Sequence, residues 1–286
     1  MLGSVPANDD QLRALVAPLR ARPAETLLAF DYDGTLAAVV DDPAAAVPVA
    51  GAIELLDELA GSYAAVAVLS GRPVAFLVAN VAGPFALSGL YGLEQAVDGA
   101  VVDHPDAPRW RPVVAEAADA AARAAAPGAP LHGIVVEPKG LSLTLHSRTH
   151  PELAAPVEAF ALELGERLGL EVRPAKRSVE LHPPIAADKG TALGALVAST
   201  GARQVLFIGD DVGDLPAFDA VLELERSGAI ELAVRVAVGG AELPDGVLER
   251  AQLVLGGPGE VPDLLRALLP GDGSGTAPVQ GADGAS

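Results

Sequence analysis

Short, wholly apolar runs alternate along this chain with stretches in which apolar residues recur every three or four positions, and the alternation is interrupted once. Thr26 to Phe30 reads as a buried strand, followed by a helix over 50–60, a strand over 64–69, a helix over 73–81 and a strand over 86–90. The rhythm resumes at Asp188 with a helix over 188–199, a strand over 204–209, a helix over 214–225, a strand within 230–238 and a helix over 260–269. Strands that alternate with helices predict a parallel sheet with helical crossovers, so the two blocks make one α/β core divided in sequence. Between them the texture changes. An Ala-rich helix near Pro112 to Ala126 precedes alternating runs at Gly133–Glu137 and Leu141–His146, a helix at Pro151–Leu168, and short strands at Glu171–Pro174 and Ser178–His182. This predicts an inserted α+β module with a small antiparallel sheet, bounded by Pro-rich segments near Pro108 and at Pro183–Ala187. The expected division is an N-terminal helix or extension over 1–21, a core of 22–107 and 186–270, the module over 108–185, and a tail over 271–286.

Composition narrows the choice of partners. Aromatic residues make up only 3% of the 286, so the cores must be built from Ala, Val and Leu. With 38 acidic against 19 basic residues the formal charge is -19, which repels phosphate backbones and anionic lipid surfaces, so neither nucleic acid nor membrane is an expected partner. Zero cysteines remove disulfides, zinc–thiolate sites and thiol catalysis together. Met1 to Asp10 is polar and acidic, unlike a secretory signal, and no apolar run is long enough to span a bilayer; a cytoplasmic monomer is the expectation. Gly271 to Ser286 is almost wholly Gly, Ala, Ser, Asp and Pro and is expected to be a floppy tail.

The chemistry lies where the strands end. Asp31 and Asp33 stand one residue apart after Thr26–Phe30, and Gly34 lets the chain turn away; carboxylates at that edge of an open α/β sheet point into its ligand crevice. Ser70, Gly71 and Arg72 follow the second strand, where a hydroxyl and backbone amides suit phosphate oxygens. Asp188 is a natural N-cap for the next helix, but Lys189 is a cation at a helix start, where the dipole gives it no benefit and a nearby anion would explain it. Asp210 and Asp211 end the strand over 204–209, with Asp214 beyond. Each piece alone is ordinary turn or cap chemistry. On parallel neighbouring strands, however, Asp31, Asp33, Asp210 and Asp214 would converge, and such a cluster calls for a cation. All-oxygen donors favour Mg²⁺ over zinc.

DYDGTL, LSGR, DKG and GDD with a further Asp resemble, in order and spacing, the four signatures of the haloacid dehalogenase-like (HAD) phosphatases. The resemblance implies a Rossmann-like core in which Asp31 is the nucleophile that forms an aspartyl-phosphate, and Asp33 is the acid and base, with its backbone carbonyl on the metal. It also implies that Ser70 and Lys189 hold the phosphoryl oxygens, that Asp210 completes the Mg²⁺ shell, and that Asp214 orients that shell directly or through water. The inserted segments GIVVEPKGLSLTLHSR and SVELHPPIAADKG resemble the cap of trehalose-6-phosphate phosphatases, whose pattern runs VExK, SxxxHxR, VExxP, DKG; the match covers nearly all of 24–270. That implies hydrolysis of trehalose 6-phosphate, with Glu137, Lys139 and Glu180 bonding sugar hydroxyls, Ser70, Gly71, Arg72 and Lys189 nearby, and the insert acting as a lid. His146 and Arg148 are weaker candidates for the same face. Two departures stand out. The usual GDDxTDE is here Gly209 to Leu215 without the Thr and the Glu, and the GSHG-like segment is Gly89, Leu90, Tyr91, Gly92 without the His. Sucrose phosphate, a glycosylated glycerate phosphate, or a non-catalytic sugar-phosphate sensor are the alternatives.

Overall fold

Strands apolar at every position must be covered on both faces. A computed structural model, which describes residues 9–40, 42, 45–97, 99–175, 177–239 and 243–270, shows how the chain achieves this. In chain order the strands are β1 (Thr26–Phe30), β2 (Ala65–Leu69), β3 (Ala86–Gly89), β4 (Glu94–Val97), β5 (Ala100–Asp103), β6 (Val135–Pro138), β7 (Leu143–His146), β8 (Glu171–Ala175), β9 (Ser178–His182), β10 (Gln204–Gly209), β11 (Leu232–Val238) and β12 (Leu253–Leu255). The helices are α1 (Asp9–Ala21), α2 (Ala52–Ala60), α3 (Val74–Asn80), α4 (Arg111–Ala125), α5 (Ala154–Leu168), α6 (Lys189–Thr200), α7 (Leu215–Arg226), α8 (Asp245–Arg250) and α9 (Val261–Leu268).

One sheet has the order β12-β11-β10-β1-β2-β3-β4-β5, parallel from β12 to β3 and antiparallel at the β3–β4–β5 edge. Alternate residues of its strands face opposite layers. Leu28, Phe30, Val66, Val68, Leu206 and Ile208 pack under α1, α2, α3 and α9, whereas Leu27, Ala29, Ala67, Val205 and Phe207 pack under α6, α7 and α8. In the second layer the Phe207 and Phe218 rings meet edge-on at 5.0 Å between their centroids. This is the parallel α/β sheet that the sequence predicts.

A separate antiparallel sheet, β6-β7-β9-β8, is backed by α4 and α5 over an apolar core of its own, including Val114, Leu143, Leu145, Val157 and Leu181. Its other face looks toward the end of the large sheet. Where the chain crosses between the two bodies, Leu90, Leu93, Ala107, Leu141, Ile185 and Ala187 form a small buried cluster that joins them.

Three elements escape the sequence pattern. The β4–β5 hairpin carries exposed Val97, Val101 and Val102 on the sheet edge, so no buried face imposes an alternation, while α8 and β12 span too few residues for any period to register. The expected tail over 271–286 lies outside the described residues, as do residues 1–8 of the expected N-terminal segment. Among the described residues no helix is long and apolar enough to cross a membrane.

Candidate active site

After β1 the chain runs outward to β2 and β3, and after the insert it returns to β1's other side as β10, so the connections diverge between β1 and β10. In open α/β sheets this divergence opens the crevice that ligands occupy. Because Phe30 is in register with both Val68 and Ile208, Asp31 lies opposite Leu69 and Gly209, and Ser70 and Asp210 follow one residue further along at the same sheet edge. The Asp31 amide donates to the Ile208 carbonyl at 2.9 Å, which extends the ladder by one bond and fixes the direction of its side chain. Gly34 has φ +87°, and a Cβ there would fall on the Asp210 carboxylate; only glycine allows the turn after β1 to pass beneath Asp210.

Lys189 opens α6 behind the Asp188 N-cap, whose side chain accepts from the Thr191 amide at 2.7 Å while the Asp188 amide donates back to the Thr191 hydroxyl at 2.9 Å. The anion that this buried lysine requires is supplied by protein: Nζ donates to Asp31 Oδ1 and, at 2.6 Å, to Asp214 Oδ1. The other oxygen of Asp214 accepts from the Asp210 and Asp211 amides at 2.9 and 3.1 Å, so this carboxylate is fully engaged in tying the loop after β10 to Lys189. Asp211 turns aside to cap the short turn at Val212. Asp210 differs, because its Oδ1 is buried without a hydrogen-bond partner.

Asp31, Asp210 and Asp214 place carboxylate oxygens within 4.8 Å of one another around a single ammonium. Burial and the neighbouring Asp214 charge push Asp31 up to about 8 against the pull of Lys189, and burial with Asp31 and Asp214 pushes Asp210 up to about 10. Burial disfavours the Lys189 charge, yet Asp214 and Asp31 outweigh it and raise the lysine above its ordinary value. The cluster is thus short of positive charge. An orphaned buried carboxylate oxygen within an all-oxygen donor set fits a hard divalent cation.

Between the ordinary aspartate value of 3.8 and the raised one of about 8, folded Asp31 holds a proton that the unfolded chain has already released. In chelator, therefore, stability should fall as pH rises through that window, and a divalent cation should restore it most at the alkaline end. Thermal unfolding at pH steps across the window, with EDTA or with excess Mg²⁺, measures this; a midpoint that rises with pH in EDTA contradicts it.

Asp33 is held elsewhere. Arg72 grips it in two bonds of 2.7 Å, Nε to Oδ2 and Nη2 to Oδ1, while the guanidinium stacks 4.5 Å above the Phe76 ring and reaches to 4.0 Å from Glu137 of the insert. The structure thus places Arg72 on Asp33, which is not among the clustered carboxylates. The Ser70–Arg72 loop is clipped from behind: the Ser70 hydroxyl accepts from the Arg72 amide at 3.1 Å, and the Leu90 and Tyr91 amides donate to the Arg72 and Ser70 carbonyls at 2.9 and 3.0 Å.

Across the cleft the insert presents a polar row. Glu137, Thr144 and Glu180 are cross-strand neighbours, with His146 and Ser178 paired two positions along on the same face. Lys139 Nζ lies 3.7 Å from Glu180 and donates to the Gly71 carbonyl at 3.3 Å, and Arg148 donates to the Val40 carbonyl, so the insert rests on the core at both rims. His146 Nε2 lies 2.7 Å from Glu137. Burial opposes ionisation of Glu137, but His146 and Lys139 outweigh it and hold its carboxyl below the ordinary value. Thr144 Oγ1 and Glu180 Oε1 are buried without partners. All these side chains line one cleft, open to solvent, with Asp31, Asp33, Ser70, Lys189, Asp210 and Asp214. Thr144, Ser178 and Tyr91 line it too and escape the motif reading. Thr144 could have been found, since it stands two residues before His146 on a strand and must share its face.

The family model for trehalose-phosphatase matches residues 29–242. This chain belongs to the trehalose-phosphatase family. A trehalose-phosphate phosphatase of Mycobacterium avium is 38% identical over 214 residues, 71% of this chain and 52% of that protein, and one of Mycobacterium ulcerans is 35% identical over 220 residues, 74% of this chain and 55% of that protein. The chain spans about half the length of these curated relatives. Among solved structures, the C-terminal domain of the C. albicans trehalose-6-phosphate phosphatase has a TM-score of 0.75 at 25% identity, covering 93% of this chain and 99% of that one. The fold is also that of a phosphoryl-transfer superfamily member described as conserving a trigonal-bipyramidal intermediate, with a TM-score of 0.53 at 14% identity over 85% of this chain and 97% of that one.

Proposed function

We propose that this member of the trehalose-phosphatase family hydrolyses trehalose 6-phosphate to trehalose and phosphate, using Mg²⁺ and an aspartyl-phosphate. The observation that carries the reading is the single cleft in which Asp31, Lys189 and Asp210 face the row of Glu137, Thr144 and Glu180. One wall suits a phosphoryl group and the other suits sugar hydroxyls, each of which both gives and accepts hydrogen bonds.

In this mechanism an Asp31 oxygen attacks phosphorus, forming the Asp31–phosphoryl bond as the bond to the sugar oxygen breaks. Asp33 gives its proton to the departing sugar oxygen. It then takes a proton from the water that attacks the aspartyl-phosphate, which frees phosphate and returns Asp31 to its carboxylate form. Ser70 and Lys189 hold the phosphoryl oxygens, and the Lys189 charge offsets the negative charge gathered there. Asp31, Asp210 and the Asp33 carbonyl would hold Mg²⁺, with Asp214 bracing the loop, and the bound ion would supply further neutralisation of negative charge at the phosphoryl oxygens. Arg72 must loosen its grip before Asp33 can carry a proton. Glu137, 4.0 Å from the same guanidinium, offers it another carboxylate, which ties sugar engagement by the insert to release of the acid. A silent sensor would need neither a nucleophile nor an acid, and this chain carries a carboxylate for each role in Asp31 and Asp33.

Phosphate release from trehalose 6-phosphate, sucrose phosphate, a glycosylated glycerate phosphate and glucose 6-phosphate tests the substrate. Trehalose 6-phosphate should be preferred in kcat/KM by roughly a hundredfold, and Glu180→Gln should erode the preference through KM, since a buried acceptor for a sugar hydroxyl is weakened while the phosphoryl wall is untouched. Equal turnover across the panel removes trehalose from the proposal.

A further inference from the structure

Two of the positions at which the chain departs from the pattern of its family lie against one another. Tyr91 follows β3 and Gly213 lies in the turn after β10, and a Cβ on Gly213 would sit 3.3 Å from Tyr91 Cε1. On the ring's other side a Cβ on Gly71 would stand 2.7 Å from both Cζ and the hydroxyl oxygen. The ring is therefore slotted between two glycines: a Cβ at Gly71 would have to displace it, and one at Gly213 would crowd its edge, with the larger side chain of a threonine crowding it further.

The backbone that delivers it is unusual. Leu90 and Tyr91 are consecutive non-glycine residues at φ +48° and +55°, a conformation that costs free energy at each and persists only where surroundings impose it. The surroundings here are the buried Leu90 side chain in the cluster joining insert to core, and the two amide bonds onto Ser70 and Arg72. The result carries the Tyr91 side chain into the cleft with its hydroxyl over Gly71, whose carbonyl accepts from Lys139 of the insert. Lys189 Nζ lies 5.9 Å from the ring centroid on the phosphoryl side. Among the described residues the hydroxyl has no protein hydrogen-bond partner. It stands where the phosphoryl wall meets the sugar wall.

We propose that Tyr91 is a specificity-determining residue that contacts the substrate, its hydroxyl bonding the sugar unit that bears the phosphate, and that Gly213 is required to seat its ring. This rests on the sugar-phosphatase reading above and names a residue which that reading does not need.

Tyr91→Phe removes the hydroxyl and keeps the ring. On the sugar phosphate that the wild type turns over best, KM should rise roughly tenfold, whereas kcat/KM for p-nitrophenyl phosphate, which has no sugar, should be unchanged. Gly213→Thr should raise the sugar-phosphate KM similarly by pushing the ring aside. The double variant should lose no more than the worse single one, because there is then no hydroxyl to misplace. Thermal midpoints of all variants report folding independently. An unchanged KM in Tyr91→Phe, or an equal loss on both substrates, overturns the contact; additive losses in the double variant overturn the role of Gly213. A wild type that prefers another sugar phosphate refutes trehalose as substrate, and the same variants then judge Tyr91 on that substrate.

Discussion

Asp31→Asn should lower phosphate release by about 10⁴-fold or more in kcat and leave the chain folded. The carboxamide has nearly the shape of the carboxylate, can still accept from Lys189 through its oxygen, and leaves the bond from the residue 31 amide to the Ile208 carbonyl intact. It lacks the anionic oxygen that the proposed mechanism bonds to phosphorus. Stability should move the opposite way from the usual result of altering a buried ion pair. Asp31 is pushed up to about 8 by burial and Asp214, so its charged form is already unfavourable, and a neutral isostere relieves repulsion in the cluster. In EDTA above neutral pH the thermal midpoint should therefore hold or rise, while Mg²⁺ affinity by calorimetry should drop as one of the clustered anionic ligands is lost. Phosphate assays and thermal unfolding on the same preparation separate the two effects. Turnover near the wild-type rate would sink the aspartyl-phosphate mechanism.

How much of this could be read from the sequence depends on whether a residue's partner is local. β1 and β10 stand where the apolar runs place them, because every residue of each is buried and the apolar stretch ends sharply: the first polar residue after each is an aspartate of the cluster. The hairpin of β4 and β5 was not legible, since an exposed edge leaves nothing to constrain its pattern. In the site, the convergence of Asp31, Asp210 and Asp214 follows from strand order alone. The grip of Arg72 on Asp33 does not, because it is decided by side-chain direction across neighbouring strand ends and by the Phe76 ring one helical turn beyond. Sequence reading gives Arg72 to the sugar and Asp33 to proton transfer, with no hint that each occupies the other. Tyr91 reads only as a missing histidine. That its ring lies between Gly71 and Gly213 is a fact of packing between segments remote in sequence, where no periodicity could reveal it.

Lys189→Met should be the most damaging single change for activity and stability together. Lys189 is the ammonium paired with both Asp31 and Asp214, and the methionine side chain nearly matches its volume, so the loss isolates charge from packing. Breaking a buried ion pair by removing one partner costs about 3–5 kcal/mol, because the remaining charge is stranded in a poor solvent. Here the stranded groups can escape by taking up protons, which Asp31 and Asp210 are already inclined to do. The destabilisation should accordingly be small in mild acid, grow as pH rises, and shrink again when Mg²⁺ is added, because the ion supplies the positive charge that the lysine gave up. Catalysis has no such escape. In the proposed mechanism the phosphoryl oxygens lose a preorganised donor, and kcat should fall by about 10²–10³-fold even with saturating Mg²⁺. Lys189→Arg should not restore it, since the ammonium is packed among Asp31, Asp214 and the Tyr91 ring and a planar guanidinium cannot address both carboxylates from the same point. Urea unfolding of wild type and Lys189→Met across pH, in EDTA and in Mg²⁺, reads the structural half, and single-turnover phosphate release reads the chemical half. If the unfolding free energies of the two proteins differ by the same amount at every pH, the lysine contributes only bulk, and the charge balance proposed for this site is wrong.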